Sequence, residues 1–281
     1  MPDTGRKFRA TLEWMEHPLK AWRDTLEELG VMGLVREPAP AVLEGAAAAP
    51  RPPREPVPRP AARPAPPAVA VYLPPTDPVG CPPPERVQSA ASLADLRQAI
   101  QGCLACPLGP GRLKFVFGEG DPRARLLFVG EGPGRDEDLQ GRPFVGKAGE
   151  LLDKMIGALG LKREETYIAN VVKCRPPDNR TPTADEAQVC LGYLRRQIEL
   201  IQPAVIVTLG ATPLREFLGI GEGITRIRGQ WQRVKVADRE IPVMPTFHPA
   251  YVLRQYTQEV RRAVWADLQA AKAWMDRPAD S

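Results

Sequence analysis

The chain has 281 residues, 43% of them hydrophobic, enough to bury one sizeable core or two small ones. Its formal net charge of +4 is too small by itself to mark a nucleic-acid binder. No apolar run reaches the roughly eighteen residues of a membrane span, and the amino terminus lacks the hydrophobic stretch of a secretory signal. The expectation is a cytoplasmic protein with no membrane association, whose cysteines do not form a disulfide framework.

Residues 1–36 read as an amphipathic helical arm. Phe8, Leu12, Met15, Leu19, Trp22, Leu26 and Leu29 recur every three or four positions with charges between them. Such a stripe has no core of its own and suits either its own domain or a protein partner. Residues 37–86 form a Pro/Ala-rich segment holding about half of the 33 prolines. It has too few large apolar side chains to offset its ordering entropy, so it reads as an extended, disordered linker.

The folded domain is expected over 87–281, and the positive excess falls there because the first 84 residues are electrically balanced. Clusters at Lys173/Arg175/Arg180, Arg226/Arg228/Arg233/Lys235 and Arg261/Arg262 are suited to tracking phosphates. Ser92 with Asp95 predicts a capped helix ending near Gly102. Strands are predicted at 125–130, 166–173, 204–210, 231–236 and 241–244. Helices are predicted at 148–159, from a Thr183/Glu186 capping box to Ile201, at 213–218 and at 258–275. This alternation implies an α/β fold, a three-layer α/β/α arrangement around a mainly parallel sheet.

The loop from Gly130 to Gly149 leaves a buried-type strand, the position where open α/β sheets bind ligands. Two phosphate motifs nearly fit it and both fail. The glycines at 130, 132 and 134 do not complete GxGxxG, because Arg135 occupies the next required place and Asp136-Glu137-Asp138 would repel a pyrophosphate. Gly141 to Lys147 has P-loop spacing, but Ala148 stands where a magnesium-binding hydroxyl is needed. Cys103 and Cys106 are spaced Cys-x2-Cys, and with Cys174 and Cys190 they suit a four-sulfur metal site. Spacing alone leaves zinc and iron-sulfur equally open. His248 is the one histidine of the domain and follows an apolar strand.

Taken together, Gly130-Glu131-Gly132-Pro133-Gly134, Glu137-Asp138, Pro143-Phe144-Val145-Gly146, Asn170 through Pro177, His248-Pro249-Ala250-Tyr251 and the four cysteines resemble the family 4 uracil-DNA glycosylases, the iron-sulfur type. The likeness spans roughly residues 90 to 275. One departure is Gly132, where family members commonly carry Ala.

The resemblance implies an enzyme that flips uracil out of DNA and hydrolyses its N-glycosidic bond, leaving an abasic site. It implies a structural [4Fe-4S] cluster on Cys103, Cys106, Cys174 and Cys190. Phe144 would stack on the base, Asn170 would read its polar edge, and Glu137 would crowd the C5 position against thymine. His248 would stabilise the departing uracil. Gly132 lies where other glycosylase families place a water-orienting Asp, so Glu131 becomes the candidate for holding the attacking water. Tyr251 or Leu253 would fill the vacated stack and Arg254 would meet a phosphate, unless 250–254 is a plain helix entry. The expected partner is uracil-containing DNA, met by a monomer associated with the nucleoid. The competing expectations are a non-catalytic iron-sulfur DNA-binding module tethered to a replication or repair partner, and a phosphate-loop enzyme.

Overall fold

The computed structural model describes residues 80–278. The proposed arm and most of the proposed linker lie outside the described residues. Chain order begins with α1 (Pro84–Gln88), started by a run of prolines, and Val87 of this helix is already buried. The start of this helix falls inside the segment that composition reads as linker.

A six-stranded sheet carries the fold, in the order β1-β3-β2-β4-β6-β5. Its inner strands are β3 (Tyr167–Asn170), β2 (Leu126–Gly130), β4 (Val205–Leu209) and β6 (Arg239–Thr246), all mutually parallel. Two edge strands, β1 (Glu119–Gly120) and β5 (Gln232–Val236), run antiparallel to their neighbours. β2, β3 and β4 are buried at every position, as continuous apolar runs covered on both faces should be.

Alternate residues of β2 serve opposite faces. Leu127 and Val129 join Ala169 and Ile206 in an apolar cluster. That cluster takes in Leu96 and Ile100 of α2 (Leu93–Ile100) and Leu194 and Ile198 of α6 (Ala184–Ile201). A long C-terminal helix, α9 (Gln258–Met275), packs on β4 and β6. The result is the expected three-layer α/β/α arrangement.

Both expected helix caps form: the Ser92 hydroxyl accepts from the Asp95 N–H at 3.1 Å, and Thr183 and Glu186 cap each other's backbone. Several short elements were not foreseen, among them α1, α3 (Leu108–Gly111) and the 3-10 turns Arg163–Glu165 and Pro177–Asn179. The glycine loop contains α4 (Arg135–Gln140), α7 (Ile224–Ile227) precedes β5, and β1 is only two residues long. The acidic run that begins α4 is architectural. Asp138 is buried and accepts from the Leu113 N–H at 2.9 Å. Regular pairing of β3 stops at Asn170, although Val171 and Val172 still donate to the carbonyls of Gly130 and Glu131.

Register places the site. Gly130 lies opposite Asn170, Val129 opposite Thr208, and Leu209 opposite Thr246, so four strands end at one level. The chain leaves β2 for β3 on one side, while β4 lies on the other. The loops after β2 and β4 therefore part at a topological switch point.

Candidate active site

A cavity of about 600 Å³ opens at that level, lined by residues that follow β2, end β3, follow β4 and follow β6. Glu131, Phe144, Asn170, Gly210 and His248 all reach it. A cleft of similar volume along the β1 edge, lined by Arg97, Lys114 and Arg142, includes none of the parallel-strand ends and no histidine.

His248 is the N-cap of α8 (Pro249–Arg254). Its Nδ1 accepts from the Ala250 N–H at 3.1 Å, which leaves the ring proton on Nε2. Burial pushes the imidazole pKa down to about 4, the nearby Arg254 charge pushes the same way, and Glu137 opposes them weakly. At neutral pH the ring is uncharged.

Phe144 faces it, with ring centroids 5.5 Å apart and planes tilted by 31°. Phe144 is buried and adopts a left-handed backbone with φ of 50°. Its seat depends on absent side chains: a Cβ on Gly130 would lie 2.6 Å from the Phe144 ring and 2.4 Å from Asn170 Oδ1. Asn170 is buried, and its Oδ1 has no hydrogen-bond partner among the described residues. A buried amide oxygen without a donor costs stability unless a ligand supplies one.

Glu137 lines the cavity but spends its carboxylate on the backbone. Oε2 accepts from the Gly134 N–H at 3.0 Å, and Oε1 accepts from Val145 at 2.9 Å and Gly146 at 3.1 Å. It thus ties the two halves of the glycine loop together. Glu131 accepts from the Thr212 hydroxyl at 2.5 Å, across the switch point. Thr212 was not foreseen; its only sequence signal is its place just after the strand-ending Gly210. Gly132 is tightly packed, since a Cβ there would sit 2.6 Å from Val172 Cγ2.

Tyr251 and Arg254 line the cavity, and Tyr251 also packs on Phe247 with centroids 4.8 Å apart. Leu253 belongs to the same short helix but does not line the cavity. The reading of 250–254 as a helix entry matches the structure, and α8 carries Tyr251 and Arg254 to the cavity.

Several basic residues singled out for phosphates are occupied internally. Lys173 is fully buried, donating to the Asn170 carbonyl at 2.8 Å and to Gln197 Oε1 at 2.6 Å, and burial pulls its pKa down to about 7. Arg180 forks onto Glu186, and Arg228 onto the buried Asp267. A cation's place in sequence does not reveal whether its charge is already met.

The four cysteines come from three distant segments and form no disulfide. Cys103, Cys174 and Cys190 are buried; burial chiefly, with neighbouring thiols adding to it, raises the pKa of Cys106, Cys174 and Cys190. For Cys174 burial is the main cause, lifting the thiol to about 11. The sulfurs are met by N–H donors: Ala105 to Cys103 at 3.4 Å, Arg112 to Cys174 at 3.5 Å, and the backbone of Lys173 to Cys190. Among the described residues no three His, Cys, Asp or Glu side chains close on a point that a single ion would fill. Four thiols drawn together from three segments, three of them buried, are the donor chemistry of a structural zinc or of an iron-sulfur cluster.

An apolar cavity at parallel-strand ends, with an aromatic wall, an unsatisfied amide and a neutral imidazole, is the kind of pocket that takes a flat, polar-edged base. In keeping with this, residues 117–269 match the family model described as the uracil DNA glycosylase superfamily. Type-4 uracil-DNA glycosylases are similar over most of their own length. The Thermotoga maritima enzyme is 48% identical over 184 residues, covering 64% of this chain and 93% of its own. Those of Sulfurisphaera tokodaii and Archaeoglobus fulgidus are 45% and 42% identical, each over 63% of this chain and over 82% and 90% of their own. The chain belongs to the type-4 uracil-DNA glycosylases, repair enzymes that excise uracil from DNA. That membership sets aside both the non-catalytic module and the phosphate-loop enzyme.

Proposed function

We propose that the cavity at the strand ends receives a uracil turned out of DNA, and that the residues gathered there divide the work of hydrolysing its bond to deoxyribose. The observation that carries this reading is the pairing of an unpartnered Asn170 Oδ1 with an uncharged His248 in one cavity.

A side-chain amide presents an acceptor and a donor side by side. Oδ1 accepts from uracil N3–H while the amide nitrogen donates to O4, and cytosine reverses that pattern. Phe144 lies against the base face. As the glycosidic bond breaks, negative charge gathers on the departing ring. His248 donates from Nε2 to its O2, an interaction that strengthens only as charge develops. Glu131, oriented by Thr212, holds the attacking water against the cationic sugar. Glu137 keeps the loop wall narrow beside C5, so its part in rejecting thymine works through backbone placement.

Arg254 and Tyr251, at the cavity mouth, meet the DNA flanking the extruded nucleotide. Cys103, Cys106, Cys174 and Cys190 hold a [4Fe-4S] cluster, which when bound supplies a cross-link between three chain segments. The enzyme acts as a monomer in the cytoplasm, and residues 1–36 serve a protein partner.

Incubation with a uracil-containing oligonucleotide followed by alkali tests the reading. Wild-type protein is expected to leave an abasic site at the uracil, and alkali then cleaves the strand there. His248→Ala is expected to lose about 10²–10³-fold in single-turnover rate with its fold intact. Near-normal excision by that variant would remove His248 from the chemistry.

A further inference from the structure

Phe144 sits in a backbone conformation that bulky residues avoid, and no covalent constraint keeps it there. What surrounds its peptide is a set of charged contacts centred on Arg163, in the short 3-10 turn Arg163–Glu165. Arg163 Nη2 donates to the Pro143 carbonyl at 2.5 Å, and Nη1 donates to the Phe144 carbonyl at 3.1 Å. The same guanidinium donates from Nε to Glu119 Oε1 at 2.8 Å and from Nη1 to Asp153 Oδ1 at 2.6 Å. Its side chain is only 13% exposed. Burial alone would raise the Glu119 carboxyl, but hydrogen bonds from Arg142 and Arg163 outweigh it and hold the group below the ordinary carboxylate range.

We propose that Arg163 is a positioning residue for uracil excision, holding the Pro143–Phe144 peptides so that the Phe144 ring stays against the base beside His248. This rests on the reading of Phe144 as the stacking residue. The geometry leaves little room for another function. Arg163 does not line the cavity, so it acts on the substrate only through what it holds.

Two further features make the clamp complete. A Cβ on Gly149 would lie 2.0 Å from the Phe144 carbonyl oxygen, so glycine there lets that carbonyl turn toward the guanidinium. On the other side, Glu137 takes the N–H groups of Val145 and Gly146. The loop is thus gripped by its carbonyls from one charge and by its amides from the opposite one. A lysine at 163 would keep the charge but offers a single ammonium in place of a planar fork. It cannot meet two carbonyls and two carboxylates at once.

The test is a double-mutant cycle on single-turnover excision from a uracil oligonucleotide, with thermal melting of every variant. Arg163→Lys is expected to lower the rate about tenfold while KM moves little, and to have almost no further effect when Phe144 is already Ala. Asp153→Asn, which removes one exposed holder of the guanidinium, should give a smaller loss that also vanishes in the Phe144→Ala background; it stands in if Arg163→Lys fails to fold. Equal losses in both backgrounds, or a wild-type rate for a folded Arg163→Lys, would overturn the clamp while leaving Phe144 in the site. A wild-type rate for Phe144→Ala would instead overturn the stacking assignment, and the clamp with it.

Discussion

The Ala250 N–H donates to His248 Nδ1 at 3.1 Å, and this one backbone bond decides which nitrogen of the imidazole can face a substrate. Both residues belong to the start of one helix, so the tautomer is fixed by the local fold before any base arrives. Protonation of Nδ1 would have to break that bond; the pKa of about 4 reflects burial first and the nearby Arg254 charge second.

The pH dependence follows. Excision is expected to stay level from about pH 8 down to about pH 5.5 and to fall toward pH 4 as His248 takes up its second proton. Stability carries the same signature. The folded pKa lies below the unfolded value near 6.5, so the unfolded chain binds this proton first. His248 therefore costs stability as pH falls from about 6.5 toward about 4 and has no such effect above that window. Melting temperatures of wild type and His248→Gln should converge at neutral pH and separate in favour of the variant near pH 4.5. An inflection in the rate near pH 6.5 would contradict a buried neutral ring.

Asn170 yields a prediction about discrimination. Replacing it with Asp keeps the volume but loses the donor and sets a carboxyl in a buried place whose oxygen already lacks a partner. Uracil excision is expected to fall by about 10²-fold or more, because a site built to hydrogen-bond a substrate group is penalised when the pairing fails. The uracil-to-cytosine rate ratio should fall with it. Competing oligonucleotides measure this directly, and an unchanged ratio would take Asn170 out of base readout.

Much of this architecture is legible in the residues. The apolar runs at 126–130 and 205–209 are continuous because both sheet faces are covered, and the Thr183/Glu186 box marks its helix start. The residues of the site were legible as blocks around Gly130, Asn170 and His248, since each lies just at or past a strand end. The use of charge was not. Lys173 read as phosphate-facing and Glu137 as crowding C5, yet Lys173 is buried between the Asn170 carbonyl and Gln197 Oε1, and Glu137 spends its carboxylate on backbone N–H groups. Long-range partners such as Thr212 for Glu131 and Arg163 for Phe144 lie 81 and 19 positions away, beyond any periodic pattern. The same holds for α4, because a glycine-rich run masks a six-residue helix whose cap is a side chain three residues on.

Gly132 offers a packing test. Its missing Cβ would sit 2.6 Å from Val172 Cγ2, and Val172 is fully buried with a stiff branched side chain. Gly132→Ala should therefore cost about 1–3 kcal/mol by overpacking. Combining it with Val172→Ala should give less than the sum of the two single losses, since each change makes room for the other. Chemical denaturation of the four proteins measures the coupling. Additive losses would mean the neighbours yield elsewhere and that the contact does not constrain the loop.

The cysteines give a prediction in which stability and binding part from chemistry. Pro176, Asn179, Arg180 and Thr181 line the cavity, and all lie on the stretch of chain between Cys174 and Cys190. If a cluster pins both ends of that stretch, Cys174→Ser releases a cavity wall without touching Asn170 or His248. The variant should purify with lost brown colour and reduced iron and sulfide content, and with a lower melting temperature. Its KM for uracil-containing DNA should rise several-fold while kcat stays within about threefold of wild type, the mark of lost binding without lost transition-state contacts. Iron, sulfide and zinc assays on wild-type protein purified without oxygen complete the comparison. A colourless wild type loaded with zinc would replace the cluster with an ion. A collapse of kcat in folded Cys174→Ser would mean that the metal centre governs the groups that act on the base.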